Sequence, residues 1–237
     1  MKRIYWVLLF LLLLTLNIIG VEKGISALQY STKPVLTISL ILFFLYETKG
    51  IRHSVNKFFL GGLFFSWGGD VLLLFQNPAL VGEAAAPHYF LAGLISFLIA
   101  HLFYSYFFIK LKKSEHISFS VLLFIPVVVY YVGLISILSP HLGAMKVPVF
   151  IYGLVISTMF LLALHMLYMP AITAGRLLMA GALFFVLSDS ALAFNKFYTP
   201  FEYSGFVVMS TYGIAQLFLT LGAILYIKRE RARHSLF

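Results

Sequence analysis

Two stretches decide the reading of this chain. They are Gly61–Phe75, GGLFFSWGGDVLLLF, and Ala180–Phe194, AGALFFVLSDSALAF. Each is an apolar run with no charged residue except one aspartate, Asp70 or Asp189. Neither has the polar face of a soluble amphipathic helix. Both fit a helix across a bilayer, which needs roughly 20 apolar residues. The two also align at an offset of 119 residues. Lys57 then meets Arg176, Gly62 meets Gly181, Phe65 meets Phe184, and Asp70 meets Asp189; Leu73 and Phe75 meet Leu192 and Phe194. The offset is half of the 237-residue length, which suggests two parallel four-helix repeats, about 1–115 and 116–237.

Composition extends this reading to the whole chain. Hydrophobic residues make up 62% and charged residues 11%, and mean hydropathy is +0.99. Soluble domains carry about 45–50% apolar and about 25% charged residues, so an ordinary soluble fold and a disordered chain are excluded. Without cysteine there is no disulfide scaffold, thiol chemistry or Cys-ligated metal. The net charge of +9 does not point to nucleic acid, because the basic residues sit in short clusters between apolar runs.

Eight spans are expected, at about Ile4–Val21, Pro34–Tyr46, Lys57–Phe75, His88–Ile109, Ser118–Leu138, Val147–Met169, Ile172–Asn195 and Tyr203–Ile227. The second is short unless it begins near Ser26 with Pro34 inside it as a kink. Short connections leave no room for a soluble domain, so residues 1–237 form one all-α transmembrane bundle. With eight spans, thirteen of the 17 basic residues fall on one side, from Lys2 and Arg3 to the C-terminal run KRERAR. Only Lys23, Lys33, Lys146 and Lys196 fall on the other. The positive-inside rule puts both termini in the cytoplasm. The N-terminal run lacks a small-x-small cleavage site and is expected to remain as the first span.

The chain has eight acidic residues, and its only two aspartates are inside spans. Each lies 13 residues beyond the basic residue marking its cytoplasmic end, roughly 20 Å into the membrane at about 1.5 Å per residue. An aspartate at mid-span costs on the order of 3 kcal/mol, so both are expected to face the bundle interior or water. The repeat predicts that they face each other. Two carboxyl groups in a partly dry site do not easily ionise together. The pair would then offer one acid and one carboxylate for acid–base hydrolysis. The bland alternative is a polar clasp between helices 3 and 7.

Other polar residues join the candidates. His101 is alone in the run FLIAHLFY, with Tyr104 about one turn on. Tyr212 and Gln216 are four apart on one face of helix 8 and suit orienting a substrate or water. Lys33 either snorkels to the interface or binds a lipid phosphate. Tyr152 reads first as an interface aromatic and second as a site residue. Ser188 and Asn195 flank Asp189 and are expected to satisfy backbone or carboxylate. His165 reads as structural. No HExxH, GxSxG, Walker or dinucleotide motif is present, so no metal or organic cofactor is called for.

The GGDVLLLF stretch with Asp70 and the SDSALAFNKF stretch with Asp189 resemble the YhhN-like integral membrane family, whose characterised members are lysoplasmalogenases. So do TKP at Thr32–Pro34, AHLFY around His101 and YGIAQ ending at Gln216. The resemblance implies an eight-helix hydrolase that cleaves the vinyl-ether bond of lysoplasmalogens to a fatty aldehyde and a glycerophospho-base. It points to Asp70 and Asp189 as the catalytic pair. Lys33, His101, Tyr104, Tyr152, Tyr212 and Gln216 would surround the substrate. A bacterial inner membrane, a lysophospholipid substrate and contact with membrane lipids follow, with no nucleic acid and no cofactor. On the residues alone a proton-coupled amphiphile or lipid transporter is an equal rival. The residues do not say which aspartate would be the acid.

Overall fold

The structure, a computed structural model, describes residues 3–76 and 81–234; Lys2 of the basic cluster lies outside them. Among the described residues, eight helices are long and apolar enough to cross a membrane. They are α1 (Arg3–Glu22), α2 (Ser26–Glu47), α3 (Asn56–Leu74), α4 (Ala86–Ser114), α5 (Phe124–Leu138), α6 (Lys146–Leu164), α7 (Ile172–Ala193) and α8 (Ser204–His234). No strand occurs among the described residues. Short 3-10 turns, Val121–Leu123 and Ser139–His141, lengthen α5 to a full span.

The second span is the one that departs most from its shorter expectation. It starts at Ser26 and carries Pro34 inside the helix. Proline lacks the N–H that would bond four residues back, and hydroxyl side chains re-satisfy backbone in such helices. The carbonyl this frees is that of Tyr30; the Ser31 and Thr32 hydroxyls donate instead to the Leu28 carbonyl, at 3.1 and 2.6 Å. Thr32 also receives the Asn17 side-chain amide at 2.9 Å, tying α1 to α2.

Ion pairs fix which ends lie together. Glu47, ending α2, binds Arg3 at the start of α1 at 3.2 Å and Lys228 near the end of α8. Arg229 reaches Glu115 just beyond α4 at 4.0 Å. At the opposite end, Glu22 accepts the Phe206 backbone N–H at 2.8 Å, and the Tyr30 hydroxyl donates to the Leu74 carbonyl at 3.1 Å. The beginning of α1 and the end of α8 therefore share one face, as an even number of spans requires.

Helix α8 is central and mostly buried, whereas α5 is peripheral and mostly exposed. Leu122 of the 3-10 turn before α5, and Ile125 and Val129 on it, point outward as lipid-facing residues. Lipid tails are as apolar as leucine, so close packing and hydrogen bonds hold such helices together. Glycines supply the close approach. A Cβ on Gly62 would lie 2.3 Å from the Tyr104 ring, and one on Gly69 would lie 2.5 Å from the Phe97 ring. A Cβ on Gly181 would lie 2.8 Å from the Leu219 backbone. The pairs α3–α4 and α7–α8 thus carry the two aspartate-bearing helices against a neighbour.

Candidate active site

Asp70 sits on α3 and is 1% exposed. Its Oδ2 accepts two hydroxyl hydrogen bonds, from Thr37 of α2 at 2.7 Å and from Tyr212 of α8 at 2.6 Å. A buried carboxylate stays affordable only with such partners. The chain continues outward from Tyr212. The Gln216 amide donates to the Tyr212 hydroxyl at 3.3 Å, and the Tyr104 hydroxyl donates to Gln216 Oε1 at 2.9 Å. Gln216 is four residues after Tyr212, so both project from one face of α8. Lys33 stands one turn before Thr37 on the same face of α2.

Asp189 sits on α7 with its side chain 15% exposed. Its Oδ2 accepts the Tyr152 hydroxyl of α6 at 2.5 Å. His101 of α4 brings Nε2 to 3.8 Å from the same oxygen, longer than a hydrogen bond. His101 is fully buried, and neither ring nitrogen makes a full hydrogen bond; the Phe97 carbonyl one turn earlier is its backbone neighbour. The ring is wedged edge-on between Phe185 at 4.6 Å and Tyr152 at 5.4 Å.

Asp189 also lines a narrow cleft of about 40 Å³ between α3, α4, α6 and α7. Apart from Asp189 and Tyr152 its walls are apolar: Leu73, Phe90, Leu94, Phe97, Val149, Leu192, Ala193 and Phe197. A space of this size exceeds the roughly 10–15 Å³ that one water needs. The arrangement is an apolar slot with one carboxyl group and one phenol at its wall, as small-molecule sites are commonly built.

The two aspartates are thus members of separate hydrogen-bond sets. Among the described residues no hydrogen bond joins the two aspartates, so neither makes the clasp expected between helices 3 and 7. Asp70 bonds to α2 and α8, and Asp189 bonds to α6. Aromatic rings fill the space between. Phe185 packs on His101 on one side and on Tyr212, at 5.5 Å, on the other. Phe97 lines the cleft and meets Tyr212 edge-on at 5.8 Å.

The remaining candidates divide accordingly. Lys33, Tyr104, Tyr212 and Gln216 belong with Asp70, while His101 and Tyr152 belong with Asp189. His101 and Tyr104, though one turn apart, serve different sets. Tyr152 is part-buried and bonded to Asp189 rather than a simple interface aromatic. Ser188 and Asn195 satisfy backbone, through the Val208 carbonyl and the Phe201 N–H, and not the carboxylate. His165 is tied to the Leu161 carbonyl and the Ser120 N–H. Thr37 was missed, although its spacing from Lys33 signals a shared helix face. The 119-residue register that pairs the aspartates also pairs Lys33 with Tyr152; Tyr152 bonds to Asp189, and Lys33 shares the α2 face of Thr37, which bonds to Asp70. Among the described residues no cluster of three or more His, Asp or Glu forms a metal-binding group.

Comparison with known proteins gives the family. The YhhN family model matches residues 28–223. Human lysoplasmalogenase TMEM86A is 32% identical over 180 residues, which is 72% of this chain and 66% of that protein. Rat lysoplasmalogenase TMEM86B is 32% identical over 162 residues, 66% of this chain and 64% of that protein. Human lysoplasmalogenase TMEM86B is 29% identical over 195 residues, 81% of this chain and 72% of that protein. The match to the first two spans just under two thirds of their length. No solved structure matches. With eight apolar helices and a family model covering most of its length, the chain is an integral membrane protein of the YhhN family.

Proposed function

We propose that this protein is a lysoplasmalogenase, hydrolysing the vinyl-ether bond of a 1-alkenyl lysophospholipid to a fatty aldehyde and a glycerophospho-base. The observation that carries the reading is the position of Asp189 at the wall of an apolar cleft, in a chain similar to proteins named lysoplasmalogenases. A vinyl ether is apolar and needs only a proton donor, a nearby anion and one water. The chemistry parallels glycoside hydrolysis, which also passes through an oxocarbenium ion.

Asp189 is the group that meets substrate. Tyr152 donates to Oδ2, so a proton carried by Asp189 resides on Oδ1. In the first step that proton is transferred to the outer alkene carbon. The alkene π electrons form the new C–H bond, and the inner carbon becomes an oxocarbenium ion beside the new carboxylate. Water adds to that carbon and returns a proton to Asp189, giving a hemiacetal. Collapse of the hemiacetal releases aldehyde, with the glycerol oxygen leaving as the alcohol. One group acts first as acid and then as base, as microscopic reversibility allows. His101 Nε2, 3.8 Å from Oδ2, is within one water of the carboxylate. Asp70 is the second catalytic carboxyl group of the proposal. It acts from behind the cleft wall by fixing Tyr212, whose ring meets Phe97 of that wall.

Basic residues at one end of the bundle support an orientation with both termini in the cytoplasm of a bacterial inner membrane, and the aspartates toward the outer leaflet. The substrate, a single-chain amphiphile, then enters sideways from the bilayer. The test uses purified protein in detergent with 1-alkenyl lysophosphatidylethanolamine and its 1-acyl and 1-alkyl analogues. Aldehyde from the alkenyl lipid alone is expected. Fatty acid from the acyl lipid, or no product with folded protein, would overturn the assignment and turn attention to transport.

A further inference from the structure

A cation that the proposed reaction does not use lies beside the cleft, over one of its wall rings. Helix α7 does not stop after Ala193 but passes into a five-residue π-helical segment, Phe194–Tyr198, with the sequence FNKFY. A π turn adds a residue to the helical repeat and re-aims the side chains that follow, often at functional sites. Here it sends Phe197 into the cleft wall, edge-on to Phe90 at 6.0 Å. It also lays Lys196 over the ring of Phe90, with Nζ 4.8 Å from the centroid. Phe90 itself lines the cleft. Lys196 is exposed, and among the described residues no carboxylate lies within ion-pair distance of it. A cation–π contact of this kind, worth about 0.5–1 kcal/mol at an exposed site, holds the ammonium beside the cleft wall without neutralising it.

The spacing fits a specific ligand. Lys196 follows Asp189 by seven residues, roughly 10 Å along the helix at about 1.5 Å per residue. In a 1-alkenyl lysophospholipid, the alkene carbon that takes the proton is separated from phosphorus by about seven bonds, roughly 8–9 Å at about 1.2 Å per bond of extended chain. Lys33, the sequence candidate for the phosphate, is on α2 with the Asp70 set and does not line the cleft.

We propose that Lys196 is the phosphate-binding residue of this site, swinging from the Phe90 ring to the phosphodiester as the vinyl ether reaches Asp189. The inference rests on the reaction proposed above. It makes the distance from headgroup phosphate to vinyl ether part of substrate selection, since a phosphate placed farther along the molecule would miss Lys196 when the alkene is at Asp189.

The test compares two substrates on purified protein: 1-alkenyl lysophosphatidylethanolamine and the phosphate-free 1-alkenylglycerol. For Lys196→Gln the KM of the phospholipid is expected to rise about tenfold, equivalent to about 1.4 kcal/mol, with kcat unchanged. The KM of the alkenylglycerol should not move, and Lys196→Arg should restore phospholipid KM. Lys23→Gln, an exposed cation of the same membrane face outside the cleft, controls for general surface charge and should change neither substrate. An unchanged KM in Lys196→Gln, or an equal rise for both substrates, overturns the assignment. So does loss of phosphate dependence in Lys33→Gln but not in Lys196→Gln. Wild-type protein that releases aldehyde while Lys196→Gln behaves identically refutes the subsite alone. Wild-type protein that releases none from either lipid refutes the reaction, and the subsite with it.

Discussion

Tyr152→Phe removes one oxygen atom and isolates one interaction. The Tyr152 hydroxyl donates to Asp189 Oδ2 at 2.5 Å from a neighbouring helix. The phenyl ring keeps its place against His101, and the lost atom is too small to leave a significant cavity. A hydrogen bond to a charged group contributes about 1.5–3 kcal/mol. If that interaction holds Asp189 with Oδ1 toward the cleft, its loss falls on the chemical step and slows kcat by roughly 10- to 150-fold, at about 1.4 kcal/mol per decade. KM should change little, because the apolar part of the cleft wall that holds the chain is untouched. The assay is aldehyde release from 1-alkenyl lysophosphatidylethanolamine over a range of substrate concentrations, with thermal unfolding in detergent as the folding control. Tyr130→Phe is the comparison, since Tyr130 pairs with Ser190 at 2.8 Å rather than with Asp189 and does not line the cleft. The reasoning is refuted if folded Tyr152→Phe keeps kcat within about twofold of wild type, or if Tyr130→Phe loses as much.

Three other substitutions probe the surroundings. Thr37→Val keeps the shape of the side chain but removes one of the two donors to Asp70; stability should fall by about 1–3 kcal/mol, read as a lower melting temperature. Gly69→Ala would put a Cβ 2.5 Å from the Phe97 ring. That ring must shift toward the cleft, so a cost of about 1–3 kcal/mol should accompany reduced turnover, and a crystal or cryo-EM structure of the variant should show Phe97 displaced. Glu47→Gln weakens the cluster with Arg3 and Lys228. Both basic partners are about two-fifths exposed, so the loss should stay within about 1 kcal/mol and shrink as salt is raised, as a melting series in increasing sodium chloride would show.

The number and order of helices were legible because lipid solvent imposes a simple rule: about 20 apolar residues between charged ends. The start of α2 was less so. Pro34 marks a boundary in a soluble helix, but α2 runs through it inside this bundle, where one missing helical hydrogen bond is tolerated. The aspartates stood out because charge inside a span is costly. Their partners were harder to find. Tyr152 and Asp189 are 37 residues apart on different helices, and no local pattern predicts which face of α6 meets α7. The same limit applies to the relation between the aspartates. Similar sequence around Asp70 and Asp189 suggested a facing pair, but partner helices, not the aspartate-bearing helices, determine where each carboxylate bonds. Lys196 looked like a topology charge because nothing in FNKFY announces a π turn.

The central claim is that a carboxyl proton is delivered to an alkene carbon inside the cleft. Running the reaction in D2O tests this directly. Aldehyde formed by wild-type protein, trapped as a hydrazone and analysed by mass spectrometry, should carry one deuterium at the carbon next to the carbonyl. Turnover should be slower than in H2O because that transfer limits the rate, and Asp189→Asn should yield no labelled aldehyde. Aldehyde without deuterium at that carbon, or labelled aldehyde formed as fast by Asp189→Asn as by wild type, would contradict the account.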